Sequence, residues 1–161
     1  MFGTGRGVPQ SDALAVEWYR KAADQGNALA QFNLGILYSN GRCGLPQSLA
    51  LALEWYSKAA DQGLEQAQSN LAFAYQYGMG GLPQSEALAV EWYRKAADQG
   101  FSIAQFYLGT LYMTQGNFSD AIRMFNAAKD DVLWTKKSEE KINKIFKIKL
   151  NEKRWKEYKL S

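Results

Sequence analysis

The chain's one cysteine, Cys43, is the first residue to test as a nucleophile, because a thiolate needs only a nearby base to become reactive. No base of the usual kind exists: the 161 residues include no histidine, so neither a Cys-His nor a Ser-His pair can form. A lone cysteine also excludes internal disulfides, a four-thiolate zinc site and a CxxC redox pair. Cys43 lies between Gly41 and Gly44 and reads as an inert loop thiol. Phosphate chemistry would need glycine amides that cradle the anion, and Gly3-Thr4-Gly5-Arg6-Gly7 is a stretch that suggests it. It lacks the GxGxxG spacing, a following lysine and a preceding strand. Asn117-Phe118-Ser119 has the form of a glycosylation sequon but falls in a tight turn with no signal sequence before it. The carboxylates of Glu17, Glu54 and Glu91 stand four residues before Lys21, Lys58 and Lys95, the pattern of solvated helix faces rather than of an acid-base dyad. No metal-ligand set emerges. The expectation is a protein that is not an enzyme and needs no metal or cofactor.

Noncovalent recognition is better supplied. Five Trp, nine Tyr and eight Phe stand among 21 Ala, a composition that suits helices packed closely around large rings. The formal net charge is only +3, too small by itself to argue for nucleic acid. No apolar run reaches the roughly 18 residues of a membrane span and no signal-type apolar segment follows Met1, which weakly favours the cytoplasm.

The elements that must position these residues repeat. Trp18, Trp55 and Trp92 are 37 residues apart, as are Tyr38, Tyr75 and Tyr112, and Pro9, Pro46 and Pro83. Residues 7–26 and 81–100 agree at 18 of 20 positions, and residues 44–63 match the last copy at 17. Such a period marks a tandem array. Each unit reads as two helices. In the second helix, Ala15, Trp18, Tyr19, Ala22 and Ala23 form one apolar stripe, with Glu17, Arg20, Lys21 and Asp24 opposite. Ser11, Ser48 and Ser85 stand at the N-cap, and Gly26, Gly63 and Gly100 just past the end. The first helix covers Ala30 to Tyr38, Ala67 to Tyr75 and Ala104 to Tyr112, each with a small residue at its middle: Gly35, Ala72 and Gly109. A mid-helix glycine costs about 1 kcal/mol against alanine, so its recurrence predicts a neighbouring helix crossing there.

The pattern LG-x-x-Y, a glycine-rich loop, then A-x-x-W-Y-x-x-A-A-x-x-G resembles the Sel-1-like repeat family, relatives of the tetratricopeptide repeats. Leu34, Gly35, Tyr38, Ala52, Trp55, Tyr56, Ala59, Ala60 and Gly63 carry the match, with counterparts one unit later. The resemblance implies an all-α, right-handed α-solenoid of helix-turn-helix repeats over residues 1–131. The boundaries are an incomplete first repeat at 1–26, full repeats at 27–63 and 64–100, and a shorter tetratricopeptide-like repeat at 101–131. It also implies a non-catalytic adaptor that presents a concave surface to a protein or peptide. Carried across, the first helices offer Leu29, Phe32, Asn33 and Ile36; then Gln66, Ser69, Asn70, Phe73, Gln76 and Tyr77; then Ile103, Phe106, Tyr107, Thr110 and Met113. None is charged. Asn33 and Asn70 match the asparagines of a carboxylate clamp whose basic residues are absent here. Aromatic and amide groups suit an extended peptide or a helix, although several of these apolar residues could instead pack within the stack.

Both ends depart from the pattern. Met1 aligns near Tyr75, so the first unit has a second helix but no first one. Either more repeats precede it, or the apolar end pairs with another copy. Residues 1–131 carry nine basic and twelve acidic groups, a net of −3, whereas 132–161 carry ten and four, a net of +6. Ile142, Ile145 and Phe146 suggest a capping helix from about Thr135 to Phe146, while Phe146, Ile148 and Leu150 alternate in a strand-like, less ordered way. The basic residues of 136–159 offer an alternative function, binding nucleic acid or an anionic membrane.

Overall fold

The computed structural model describes residues 10–159, with side chains from 12 to 153; Gly3 to Gly7 and the alignment of Met1 lie outside that range. Each segment with a helical apolar period is a helix. In order they are α1 (Gln10–Asp24), α2 (Ala28–Asn40), α3 (Leu49–Asp61), α4 (Glu65–Tyr77), α5 (Glu86–Asp98), α6 (Ser102–Thr114), α7 (Phe118–Ala128) and α8 (Val132–Lys159). No strand occurs among the described residues. Contacts divide the chain into two units, one up to Trp92 and one from Tyr93, with the boundary inside α5.

In the first unit α3 packs against both α2 and α4, and α1 packs against α2. The core is built from small residues and a few large ones, with Ala30, Ala52, Ala59 and Ala67 around Leu34, Leu71, Tyr38 and Tyr56. Gly35 explains how the helices come so close. A Cβ there would lie 2.6 Å from the Tyr56 ring and 3.1 Å from the Ala52 carbonyl oxygen. The crossing predicted from the mid-helix glycine is therefore the Tyr56 ring lying on bare α2 backbone.

The caps follow the repeat as well. Ser48 is extended and its hydroxyl accepts the Leu51 N–H at 3.3 Å. Gly63, at φ +93°, turns the chain after α3 so that the Leu64 N–H reaches the Ala59 carbonyl at 3.2 Å, which satisfies an otherwise orphaned acceptor. Ser11 departs from its expected place. α1 begins at Gln10, so Ser11 lies within the first turn rather than before it.

Two further ties recur that the apolar pattern does not announce. Buried Gln31 donates its side-chain amide to the Ala23 carbonyl at 3.0 Å, and Gln68 donates to Ala60 at 3.2 Å. Each joins a first helix to the end of the helix before it. Arg20 on α1 donates to the Tyr38 hydroxyl on α2 at 3.0 Å.

The second unit repeats these devices and then closes. Gln105 donates to Ala97 at 3.2 Å and Arg94 to the Tyr112 hydroxyl at 2.7 Å. A Cβ at Gly109 would lie 2.9 Å from the buried Phe125 ring. The short turn into α7 is capped by Asn117, whose side chain accepts the Asp120 N–H. That is the structural role of the sequon asparagine.

The C-terminal segment corrects the sequence expectation. It is helical from Val132 to Lys159 rather than from about Thr135 to Phe146. The Asp131 carboxylate accepts the Leu133 N–H at 2.9 Å and starts the helix. After that, residues 132–161 contain no Gly or Pro to stop it, and lysine, glutamate and leucine are good helix formers. Three residues of strand-like alternation cannot outweigh that propensity. Ile142, Ile145 and Ser138 are buried as α8 packs on α7 and α6, and the Trp134 ring lies 4.8 Å from Phe106.

Candidate peptide-binding pocket

Helix α4 and the turn after it place four side chains around the end of α3. Tyr56 forms the floor, buried, with Ser39 and Asn70 lining the pocket beside it. Burial pushes its phenol above the ordinary tyrosine value, against a smaller opposing effect of the neighbouring Ser39 and Asn70 side chains. Leu49, Leu53 and Ala74 make apolar walls, and Phe73 and Met79 form the lip of a pocket of about 220 Å³. One helical turn beyond Phe73 stands Tyr77, with ring centroids 4.6 Å apart. These two rings are 38% and 54% exposed. Neighbouring aromatic rings left in water by a helix that buries its other face form a contact surface of the kind partners cover.

The structure sorts the other sequence-predicted residues of the first unit into three groups. Leu29 and Asn33 line a shallow hollow with Trp18 and Tyr19, and Leu29 is exposed. Phe32 and Ile36 pack against the first unit's core, Phe32 with its centroid 5.5 Å from that of Tyr56. Ser69 is buried, while Gln66 is half-buried with its Oε1 lacking a hydrogen-bond partner among the described residues. Gln76 is half-buried, and its carbonyl accepts the side-chain amide of Gln84.

In the second unit Phe106 is only 8% exposed, enclosed by Phe125 and Trp134. Tyr107 stacks on Tyr93 at 5.6 Å, and the Thr110 hydroxyl donates to the Phe106 carbonyl. Ile103 and Met113 are half-buried. Of the predicted residues, then, Asn70 and Phe73 meet in one pocket with Tyr77 beside it, and Leu29 and Asn33 meet in another. Ser39, Tyr56 and Met79 complete the first pocket without having been foreseen. Tyr56 was legible only as part of a packing stripe, and nothing local marks Ser39 or Met79.

The residues first tested for chemistry stay apart. Cys43 is a free, half-buried thiol with φ +55° in its loop. Glu17 pairs with Lys21 at 2.7 Å on an exposed face, and the Lys58 ammonium lies over the Trp55 ring. No group of three or more Cys, Asp or Glu side chains among the described residues could hold a metal ion. No helix there is long and apolar enough to cross a membrane.

Comparison with known proteins agrees with the repeat fold. The Sel1 repeat pattern matches residues 1–27, 28–64, 65–101 and 102–129. Among solved structures the chain is similar to c5321, a protective antigen present in uropathogenic Escherichia coli strains and displaying an SLR fold. The identity is 36% and the TM-score 0.68, over 73% of this chain and 26% of that one. It is also similar to a Sel1 repeat protein from Oxalobacter formigenes, at 35% identity and TM-score 0.62, over 66% of this chain and 44% of that one. The chain thus spans less than half the length of either. No curated protein matches it.

Proposed function

The chain belongs to the Sel1 repeat family, an all-α repeat solenoid fold, and on that premise we propose that it is a non-catalytic adaptor whose first unit holds a peptide or helix of a partner protein. Proteins of this family act generally as protein-interaction scaffolds. The observation that carries the reading here is the exposed Phe73–Tyr77 ring pair at the lip of the Tyr56–Asn70 pocket. A partner's apolar side chain would enter the pocket against Leu53 and Ala74. The exposed Asn70 amide would bond the partner's backbone. Gln66 offers a further amide on the same helix, and Leu29 and Asn33 extend the surface onto α2. Phe106, Tyr107, Thr110 and Met113 support the second unit's own packing and enter this reading only as scaffold.

An aromatic anchor pair of this kind contributes about 2 kcal/mol or more to an interface. Phe73→Ala combined with Tyr77→Ala is therefore expected to weaken a partner identified by affinity capture by about 30-fold or more. Helicity, followed by circular dichroism, should be unchanged because both rings face water. Unaltered affinity in the doubly substituted chain would refute the placement.

One observation favours a second reading. Trp18 on α1 is 67% exposed, and Leu14 and Leu29 near it are exposed too. This is an apolar face through which two copies could pair.

A further inference from the structure

The same cross-helix bond occurs twice in this chain, two repeat periods apart. Arg20 donates to Tyr38 and Arg94 to Tyr112, and each arginine precedes its tyrosine by 18 residues. The copy between them keeps the tyrosine, Tyr75, but has Ser57 where the other two have arginine. A serine hydroxyl is too short to reach across. In place of the guanidinium and its stem the first unit has a pocket of about 490 Å³, lined by Ser57, Tyr75, Glu54, Lys58, Leu71 and Gly80. That is within the size of clefts that admit a ligand group, roughly 300–1,000 Å³.

Its polar lining is the Glu54 carboxylate, the Lys58 ammonium and the hydroxyls of Ser57 and Tyr75. The Tyr75 hydroxyl makes no side-chain bond among the described residues, unlike Tyr38 and Tyr112. Glu54 forms no ion pair among the described residues. Lys58, its neighbour one turn on, places its ammonium 4.1 Å from the Trp55 ring centroid instead.

We propose that this pocket takes an arginine side chain from a partner protein, supplying in trans the guanidinium that the neighbouring repeats supply from within. The planar guanidinium carries five donors in a fork and is always charged. One edge would donate to the Tyr75 hydroxyl and another to the Glu54 carboxylate, while the methylene stem lies along Leu71. Lysine fits less well, because its single ammonium cannot address two acceptors with the same planar geometry. The site shares no polar residue with the Asn70 pocket, so either assignment can fail without the other.

The test uses the full chain, labelled with nitrogen-15, and two probes: the peptide acetyl-Gly-Gly-Arg-Gly-Gly-amide and its lysine counterpart. The arginine peptide is expected to shift the amide signals of Ser57, Gly80 and Gly81, and the lysine peptide to shift them several-fold less at equal concentration. Glu54→Gln should weaken arginine-peptide binding on the order of tenfold. Ser57→Arg, which restores the chain's own pair, should abolish the shifts and raise the thermal midpoint. Equal shifts with both peptides, no shift at these amides, or binding unchanged by both Glu54→Gln and Ser57→Arg would overturn the proposal.

Discussion

Tyr56 shows how much one residue can hold in a repeat of this kind. Its ring occupies the space left by the missing side chain of Gly35, meets Phe32, and shares a pocket lining with Ser39 and Asn70. Tyr56→Phe keeps the ring and removes a polar hydroxyl set beside Ser39 and Asn70, so it should cost about 1 kcal/mol at neutral pH. Because burial raises the folded phenol above the unfolded one, the folded chain holds this proton more tightly. The associated stability is fully present below about pH 10 and is lost as pH rises through the raised folded value. Denaturant titrations at neutral pH and near pH 11 should therefore show the gap between wild type and Tyr56→Phe narrowing in alkali. A gap that stays constant would mean the phenol is not buried as described. The repeat made this tyrosine visible as a core residue, but its polar neighbours lie on other helices and left no local mark.

At the scale of elements, the helix-on-helix approach is the feature to test. Gly35→Ala gains roughly 1 kcal/mol of helix propensity. Against that, the new Cβ meets a ring at 2.6 Å and a backbone oxygen at 3.1 Å, and the oxygen cannot rotate away. Overpacking of this kind costs about 1–3 kcal/mol, so the variant should be net destabilised in urea unfolding. A more stable variant would show that α2 and α3 can separate at little cost. The equivalent Ala72 is fully buried inside α4, so the penalty at 35 is steric rather than conformational. Most helix positions were legible because a 3.6-residue apolar period and flanking Ser and Gly are local signals. α8 was legible only in part. Its apolar stripe is short, and its continuation rests on propensity and the absence of breakers.

For the molecule as a whole, the net charge of +3 conceals an acidic repeat region and a basic helix. Lys136, Lys144 and Lys147 are exposed, but α8 also buries Ile142 and Ile145. Removing residues 132–161 would thus take core with charge, and exchanging the exposed lysines for glutamine is the cleaner probe of anion binding. The apolar face of α1 bears on oligomeric state. If copies pair through it, sedimentation should give a mass that rises above 18.1 kDa with concentration, and Trp18→Ser should return it to the monomer. A strict monomer at high micromolar concentration would remove the pairing reading.

What the sequence determined by itself is the repeat, the phase of each helix, and the small residue at each crossing. All of these are written in spacing along one chain segment, and each copy checks the others. The exchange of Arg20 and Arg94 for Ser57 was also visible in that spacing, but only the structure showed that a pocket results. Tertiary structure alone decided which rings face water. Phe73 and Phe106 were equal candidates in the pattern, yet Phe73 is left at a pocket lip and Phe106 is covered by Trp134, which lies outside the repeat. Exposure depends on what another segment brings to cover a residue, and no local period encodes that.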